Sequence, residues 1–222
     1  MPPEPFTLAF DTSAAHCAAA LLCGDRVLGV RHEDMAKGQA ERLMPMLQEL
    51  LDDGGIGWSD LDLIAVGTGP GNFTGVRIAV AAARGLALAL DIPAIGVTVL
   101  EAQAHGHLRP VISTLDARQG MIYLQAFGSD IGPLICDPAS LPPIADIADP
   151  VCVGFQADQI AARFGGQAQA PLEPPAVAMA RIARSRRAPG TPRPAPLYLR
   201  AADAAPARDN GPVILRPGDS AP

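Results

Sequence analysis

Ile64-Ala65-Val66-Gly67-Thr68-Gly69-Pro70-Gly71-Asn72-Phe73-Thr74-Gly75-Val76-Arg77-Ile78 decides how this chain is read. An apolar run, a turn crowded with glycine and a second apolar run describe a buried strand, a tight corner and the start of a helix. Such corners often seat a phosphate, because free backbone N–H groups and the helix dipole converge there. The spacing tells against that use. A dinucleotide fingerprint requires Gly-x-Gly-x-x-Gly. Counting from Gly67 and Gly69 puts the third position on Asn72, and counting from Gly69 and Gly71 puts it on Thr74. A nucleoside-triphosphate loop requires Gly-Lys-Ser/Thr five residues after the first glycine. Here Thr74 follows Gly69 at that distance, and Gly75 is followed by Val76 rather than lysine. The stretch reads as a strand-to-helix turn whose glycines supply positive φ, a degenerate phosphate loop rather than a working one.

Downstream, a helix is expected from Thr74 to Leu90, and its only charges are Arg77 and Arg84, seven apart on one face. Gly75, Ala79, Ala82 and Leu86 form a second stripe of mostly small residues, and Ala81, Ala83, Ala87 and Ala89 fill the remainder. A helix apolar on nearly all sides is expected to be buried on all sides. One face belongs on the sheet and the other against a neighbouring helix. The neighbour is the segment Glu41 to Asp52, with Leu43, Met44, Leu47, Leu50 and Leu51 on one face. Pro45 places its start near Arg42, since proline suits only a first turn. The two helices together are expected to dimerise into a four-helix bundle. The expected partner interface is Leu43, Met44, Leu47, Gly75, Arg77, Ile78, Ala79, Ala82 and Leu86, with burial inside the monomer as the alternative.

Upstream, Phe6–Phe10, Cys17–Cys23 and Arg26–His32 read as three consecutive antiparallel strands, with Asp11-Thr12-Ser13 after the first and Gly24-Asp25 as a hairpin turn. That is how an RNase H-like domain opens. In kinases and ATPases of that architecture the first turn touches phosphate, which makes Asp11 the candidate polar group, with a local turn aspartate as the alternative. A second unit repeats the pattern: strand Val111–Leu115, turn Asp116-Ala117-Arg118-Gln119-Gly120, and partner strand Met121–Phe127. A strand at Val151–Val153 and helices at Ala157–Phe164 and Val177–Ser185 follow, the last ending in the basic cluster Arg184, Arg186 and Arg187. Pro196-Leu197-Tyr198-Leu199-Arg200 reads as a docked segment, and residues 201–222 as a disordered tail.

Composition narrows the function. Of 222 residues 49% are apolar, enough for a substantial core. A net charge of −6 and only 4% aromatic residues argue against autonomous nucleic-acid binding. The Arg184–Arg187 cluster is more simply a solvated face. His105 and His107, two apart, do not share a helix face, so no metal site is expected. Cys17, Cys23, Cys136 and Cys152 form no Cys-x-x-Cys pair and sit among apolar residues, as thiols of a reducing compartment do. The longest charge-free run, Leu63 to Val76, is too short for a membrane span, and the N-terminus lacks a signal-peptide pattern. A cytoplasmic protein with no membrane association is expected.

Taken in order, Asp11-Thr12-Ser13, Glu41-Arg42-Leu43-Met44-Pro45, Gly69-Pro70-Gly71-x-Phe73-Thr74-Gly75-Val76-Arg77-Ile78, Gly85-Leu86-Ala87-Leu88, Leu115-Asp116-Ala117-Arg118 and Pro196-Leu197-Tyr198-Leu199-Arg200 resemble the bacterial TsaB (YeaZ-like) family. The resemblance covers about Thr7 to Arg200. It implies an α/β fold of two RNase H-like, actin- and sugar-kinase-like subdomains with mixed sheets flanked by helices. Their expected bounds are 1–107, carrying the partner interface, and 108–200.

The resemblance also implies a non-catalytic subunit for threonylcarbamoylation of the adenosine beside the tRNA anticodon. Its implied partners are a catalytic TsaD-like paralogue, a TsaE-like ATPase and, through the complex, tRNA, with self-association when the paralogue is absent. No catalytic residue, metal or cofactor is expected. Asp11, Thr12, Gly69, Gly71 and Asp116 form a degenerate nucleotide site, with weak ATP or ADP binding at most. The chain departs from the family's usual pattern at Gln39, Thr68, Asn72 and Ala79. It lacks the paired histidines, four apart, of the catalytic paralogue. A self-sufficient actin-fold ATPase or sugar kinase using Asp11 is the alternative function. A metallopeptidase lacks both a His-x-x-x-His pair and a nucleophile motif.

Overall fold

The structure, a computed structural model, describes residues 4–144 and 147–200; the expected tail at 201–222 lies outside them. Among these residues ten strands form two five-stranded sheets. The first contains β1 (Phe6–Asp11), β2 (His16–Cys23), β3 (Arg26–Asp34), β4 (Leu61–Gly67) and β5 (Ala94–Val97), in the order β3-β2-β1-β4-β5. The second contains β6 (Val111–Asp116), β7 (Ile122–Phe127), β8 (Leu134–Cys136), β9 (Val151–Gly154) and β10 (Gln167–Gln169), in the order β8-β7-β6-β9-β10. In each, three antiparallel strands open the sheet and two parallel strands extend it past the first. The second sheet therefore repeats the first, and Asp11 and Asp116 end corresponding strands. The mixed α/β architecture is that of two RNase H-like units. The strands β8 and β10, three residues each at the sheet edges, are too short for the alternation by which strands are read from sequence.

Among the described residues five α-helices fill the layers: α1 (Gln39–Gly54), α2 (Phe73–Leu90), α3 (Val99–Ala104), α4 (Ala157–Phe164) and α5 (Pro175–Ser185). One face of the first sheet, with Leu8, Phe10, Ala19 and Leu21, packs on Leu43, Met46, Leu47, Leu50 and Leu51 of α1 and on Ala79 and Ala83 of α2. The opposite face, with Ala9, Ala20, Leu22, Leu63 and Ala65, packs on Val177, Met179, Ala180, Ile182 and Ala183 of α5. Helix α5 follows the second sheet in sequence yet is seated on the first. Fully burying one side chain such as Met179 is worth about 1.5–3 kcal/mol, so this crossing adheres strongly to the first sheet. Helix α3 packs under β6 and β7 through Leu100. Helix α4 covers the far face of the second sheet through Ile160 and Ala161.

Local chemistry sets the helix ends. The Asn72 side chain accepts a bond from the Thr74 N–H at 3.0 Å and starts α2 one residue earlier than expected. Helix α1 begins at Gln39 rather than near Arg42, so Pro45 lies inside it. The Pro45 position supplies no N–H for the Glu41 carbonyl, and the buried leucines on either side hold the helix through it. The expectation that no segment could cross a membrane counted charge-free runs. By length and composition alone α2 is long and apolar enough, with a mean hydropathy of 1.5 over 18 residues. One side of it nevertheless packs on the sheet, and both its arginines bond to the chain itself.

Candidate functional site

The glycine corner meets the first turn rather than an open cradle. The Asn72 N–H donates to the Ser13 carbonyl at 2.5 Å, and the Thr12 hydroxyl donates to the Gly75 carbonyl at 2.6 Å. A Cβ on Gly71 would lie 2.3 Å from the Ser13 oxygen, and one on Gly75 would lie 1.9 Å from the Thr12 oxygen. One on Gly67 would lie 1.9 Å from Asp11 Oδ1. Of the four glycines only Gly69 has positive φ, at 87°. The expected reason for the glycines therefore holds at Gly69 alone. The other three admit Asp11, Thr12 and Ser13 at contact distance. An amide that would face a phosphate in a working loop is bonded to the protein's own backbone.

Asp11 is buried; its Oδ2 accepts from the Ser13 hydroxyl at 2.8 Å and lies 2.8 Å from His16 Nε2. Sequence reasoning missed Ser13 and His16 as its partners, although Ser13 two residues on is a familiar turn companion. Asp11, Gly71 and Asp116 are brought together on a cleft of about 750 Å³ between the two sheets. Thr12 and Gly69 lie beneath it: Thr12 is fully buried, and the Gly69 carbonyl accepts from the Val99 N–H at 2.9 Å. On the second lobe the Asp116 carboxylate accepts the Arg118 N–H at 2.7 Å, closing a local turn. The cleft floor is mostly apolar, with Ala18, Val99, Leu115 and Ala176, and its rim includes Tyr198 and Arg200. Among the described residues no three His, Cys, Asp or Glu side chains converge as a metal-holding group.

The expected partner interface divides in two. Leu43, Leu47, Gly75 and Ala79 are buried in the monomer's core or against Thr12, so they cannot present a surface. Their apolar periodicity marked the sheet-facing side, which is the side a core helix shows most clearly. Met44 and Arg77 are exposed, and Ile78, Ala82 and Leu86 are half-buried along the shoulder between α1 and α2. The open face of α2 adds Ala81, Gly85, Leu88 and Ala89, with Leu88 81% exposed. Among the described residues a Cβ on Gly85 would meet nothing within 4 Å. Helix α2 is therefore not buried all round: one side packs on the sheet, Arg77 and Arg84 bond to Tyr198 and Pro194, and the apolar face with Ala81, Gly85 and Leu88 stays exposed.

The basic cluster is largely neutralised. Arg184 pairs with Asp25, and Arg186 with Glu101 at 2.6 Å. The buried thiols of Cys17 and Cys152 are pushed up to about 11 by desolvation and stay protonated near neutrality.

Two lobes of repeated topology around one cleft give this chain an actin-like, RNase H-like fold. A component of (R)-2-hydroxyglutaryl-CoA dehydratase from Acidaminococcus fermentans shares that fold at 9% identity, with a TM-score of 0.52 over 82% of this chain and 99% of that one. Residues 24–135 match the TsaD family model, described as tRNA N6-adenosine threonylcarbamoyltransferase. YeaZ from Pseudomonas aeruginosa is 31% identical, with a TM-score of 0.70 over 87% of this chain and all of that one. An uncharacterised Mycobacterium tuberculosis protein is 33% identical over 81% of this chain and 83% of its own length. The Escherichia coli "tRNA threonylcarbamoyladenosine biosynthesis protein TsaB" is 37% identical over 55% of each chain. The match thus spans about half the length of that curated relative. This chain belongs to the TsaB/YeaZ family.

Proposed function

We propose that this chain is a non-catalytic subunit in the biosynthesis of threonylcarbamoyladenosine beside the tRNA anticodon, and that it acts by pairing the open face of α2 with a TsaD-type catalytic paralogue. The carrying observation is Gly85. It sits inside a helix, where glycine costs about 1 kcal/mol relative to alanine, and among the described residues nothing occupies the space beside it. With Ala81, Leu88 and Ala89 it forms an exposed apolar surface low enough for a second helix to approach closely. The names of the curated relatives support the process, and the TsaD family match supports a partner of related fold. A TsaE-type ATPase and tRNA enter through the complex, in the cytoplasm, and the same face pairs two copies of this chain when the paralogue is absent.

The non-catalytic role is supported by the glycine corner, whose Asn72 amide is taken by Ser13, and by the engagement of Asp11 with Ser13 and His16. The test is reconstitution of tRNA modification from the paralogue and the ATPase, with and without this chain. Modification is expected to require the chain and to be lost with Leu88→Glu, whose fold should be unchanged. Full activity without the chain, or an intact complex with Leu88→Glu, would remove the proposal.

A further inference from the structure

The two charges of α2 both engage one distant segment. Arg77 Nε donates to the Tyr198 hydroxyl at 2.8 Å, and Arg84 Nε donates to the Pro194 carbonyl at 2.8 Å. The Arg77 guanidinium lies 3.6 Å from the Phe73 ring centroid, and the Phe73 and Tyr198 rings are 4.8 Å apart. Between these contacts the Leu197 N–H donates to the Thr68 carbonyl at 2.8 Å. Since the earlier arginine meets the later residue, residues 194–198 run antiparallel alongside α2. Two residues further on, the chain has reached the other lobe. Leu199 packs with Leu100, Ala117 and Tyr123. Arg200 Nη1 donates to the Ala117 carbonyl at 3.2 Å, and its Nη2 bonds Gln119 Oε1. Leu197, Tyr198, Leu199 and Arg200 all line the cleft.

We infer that residues 194–200 are an interlobe clasp that couples the width of the cleft to the shape of the first turns of α2. Opening the cleft must break one of two anchors: Thr68, Arg77 and Arg84 on the first lobe, or Ala117 and Gln119 on the second. Loosening either anchor frees that end of a seven-residue segment, and the remaining anchor must then order a more mobile chain, so the two loosen together. Where α2 is the partner face, as proposed above, the coupling is reciprocal: a partner that holds Arg77 and the first turns of α2 in place also holds the cleft closed.

The experiment is residue-resolved hydrogen exchange on the full chain, free of any partner. The Leu197 amide reports the first anchor directly, and the Met121 amide, which donates to the Arg118 carbonyl at 3.0 Å, reports the second. In Arg200→Ala the Leu197 amide is expected to exchange about tenfold faster, although the substitution lies on the other lobe. In Tyr198→Phe the Met121 amide is expected to accelerate in turn, while amides in the centres of β1 and β6 keep their protection in both variants. Acceleration confined to the substituted lobe in each case would overturn the clasp. A wild-type chain that fails to bind a TsaD-type partner would remove the proposed function and leave this result standing.

Discussion

Thr12 and Gly75 are locked to each other: the Thr12 hydroxyl donates to the Gly75 carbonyl at 2.6 Å, while the Thr12 carbonyl lies where a Cβ on Gly75 would come within 1.9 Å. The first turn of the chain and the first turn of α2 share one volume. Gly75→Ala must therefore displace backbone, which cannot yield as a flexible side chain can. A loss of about 3 kcal/mol or more is expected, read as a fall in the midpoint of urea unfolding. An unfolding midpoint equal to wild type would show that the corner is looser than this geometry.

Gly85 in the same helix predicts the opposite sign. Its neighbourhood is open among the described residues, so Gly85→Ala removes backbone entropy from the unfolded chain and adds no clash there. The isolated chain is expected to gain up to about 1 kcal/mol. Binding to a TsaD-type partner, followed by calorimetry, is expected to weaken because the added methyl holds the facing helix away. A variant that is both more stable and binds undiminished would place the contact elsewhere.

The contrast between these glycines marks where sequence reasoning stops. The strand, corner and helix could be read from residues 64–78, because apolar runs and glycine are local signals. What three of the glycines accommodate could not, since Thr12 and Ser13 lie about sixty residues upstream. Likewise the seven-residue spacing of Arg77 and Arg84 was visible, but their partners at 198 and 194 are brought alongside only by the folded chain. Of the site residues, Asp11 and Asp116 stood out because each ends the first strand of a repeated unit, and both reach the cleft. Of the expected interface residues, burial leaves Met44, Arg77, Ile78, Ala82 and Leu86 at least partly accessible. Periodicity identifies the most apolar side of a helix, which here is the side facing the sheet. The side proposed to face a partner carries glycine and alanine, and among the described residues Gly85 has no neighbour beside it.

The occupied corner also predicts nucleotide behaviour. With the Asn72 amide on Ser13 and Asp11 engaged by Ser13 and His16, a triphosphate entering the cleft meets no ready cradle. Thermal unfolding with magnesium and ATP or ADP near 1 mM is expected to match the ligand-free chain. A site with a Kd at that concentration would already add about 0.4 kcal/mol, enough to detect as a small shift in Tm. A shift that Asp11→Ala abolishes would instead favour the ATPase reading.

Glu101 ties α3 to α5 and makes stability depend on acid. Its carboxylate is largely buried, which alone would raise its pKa. The Arg186 guanidinium and the Thr98 N–H and hydroxyl outweigh that and hold it below the ordinary value of 4.5. A carboxylate whose folded pKa is depressed stabilises the fold above its unfolded pKa and loses that contribution as pH falls through the folded one. Glu101→Gln keeps an oxygen for the Thr98 N–H but removes the charge opposite Arg186. At pH 7 it is expected to be less stable by about 1 kcal/mol, since Arg186 is partly exposed and the pair is screened by solvent. Below pH 4 the gap to wild type should shrink as Glu101 itself becomes protonated. Urea unfolding of both proteins at pH 7 and at progressively lower pH measures the difference. A gap that stays constant, or widens, as the pH falls would show that the Arg186 pair does not carry the effect.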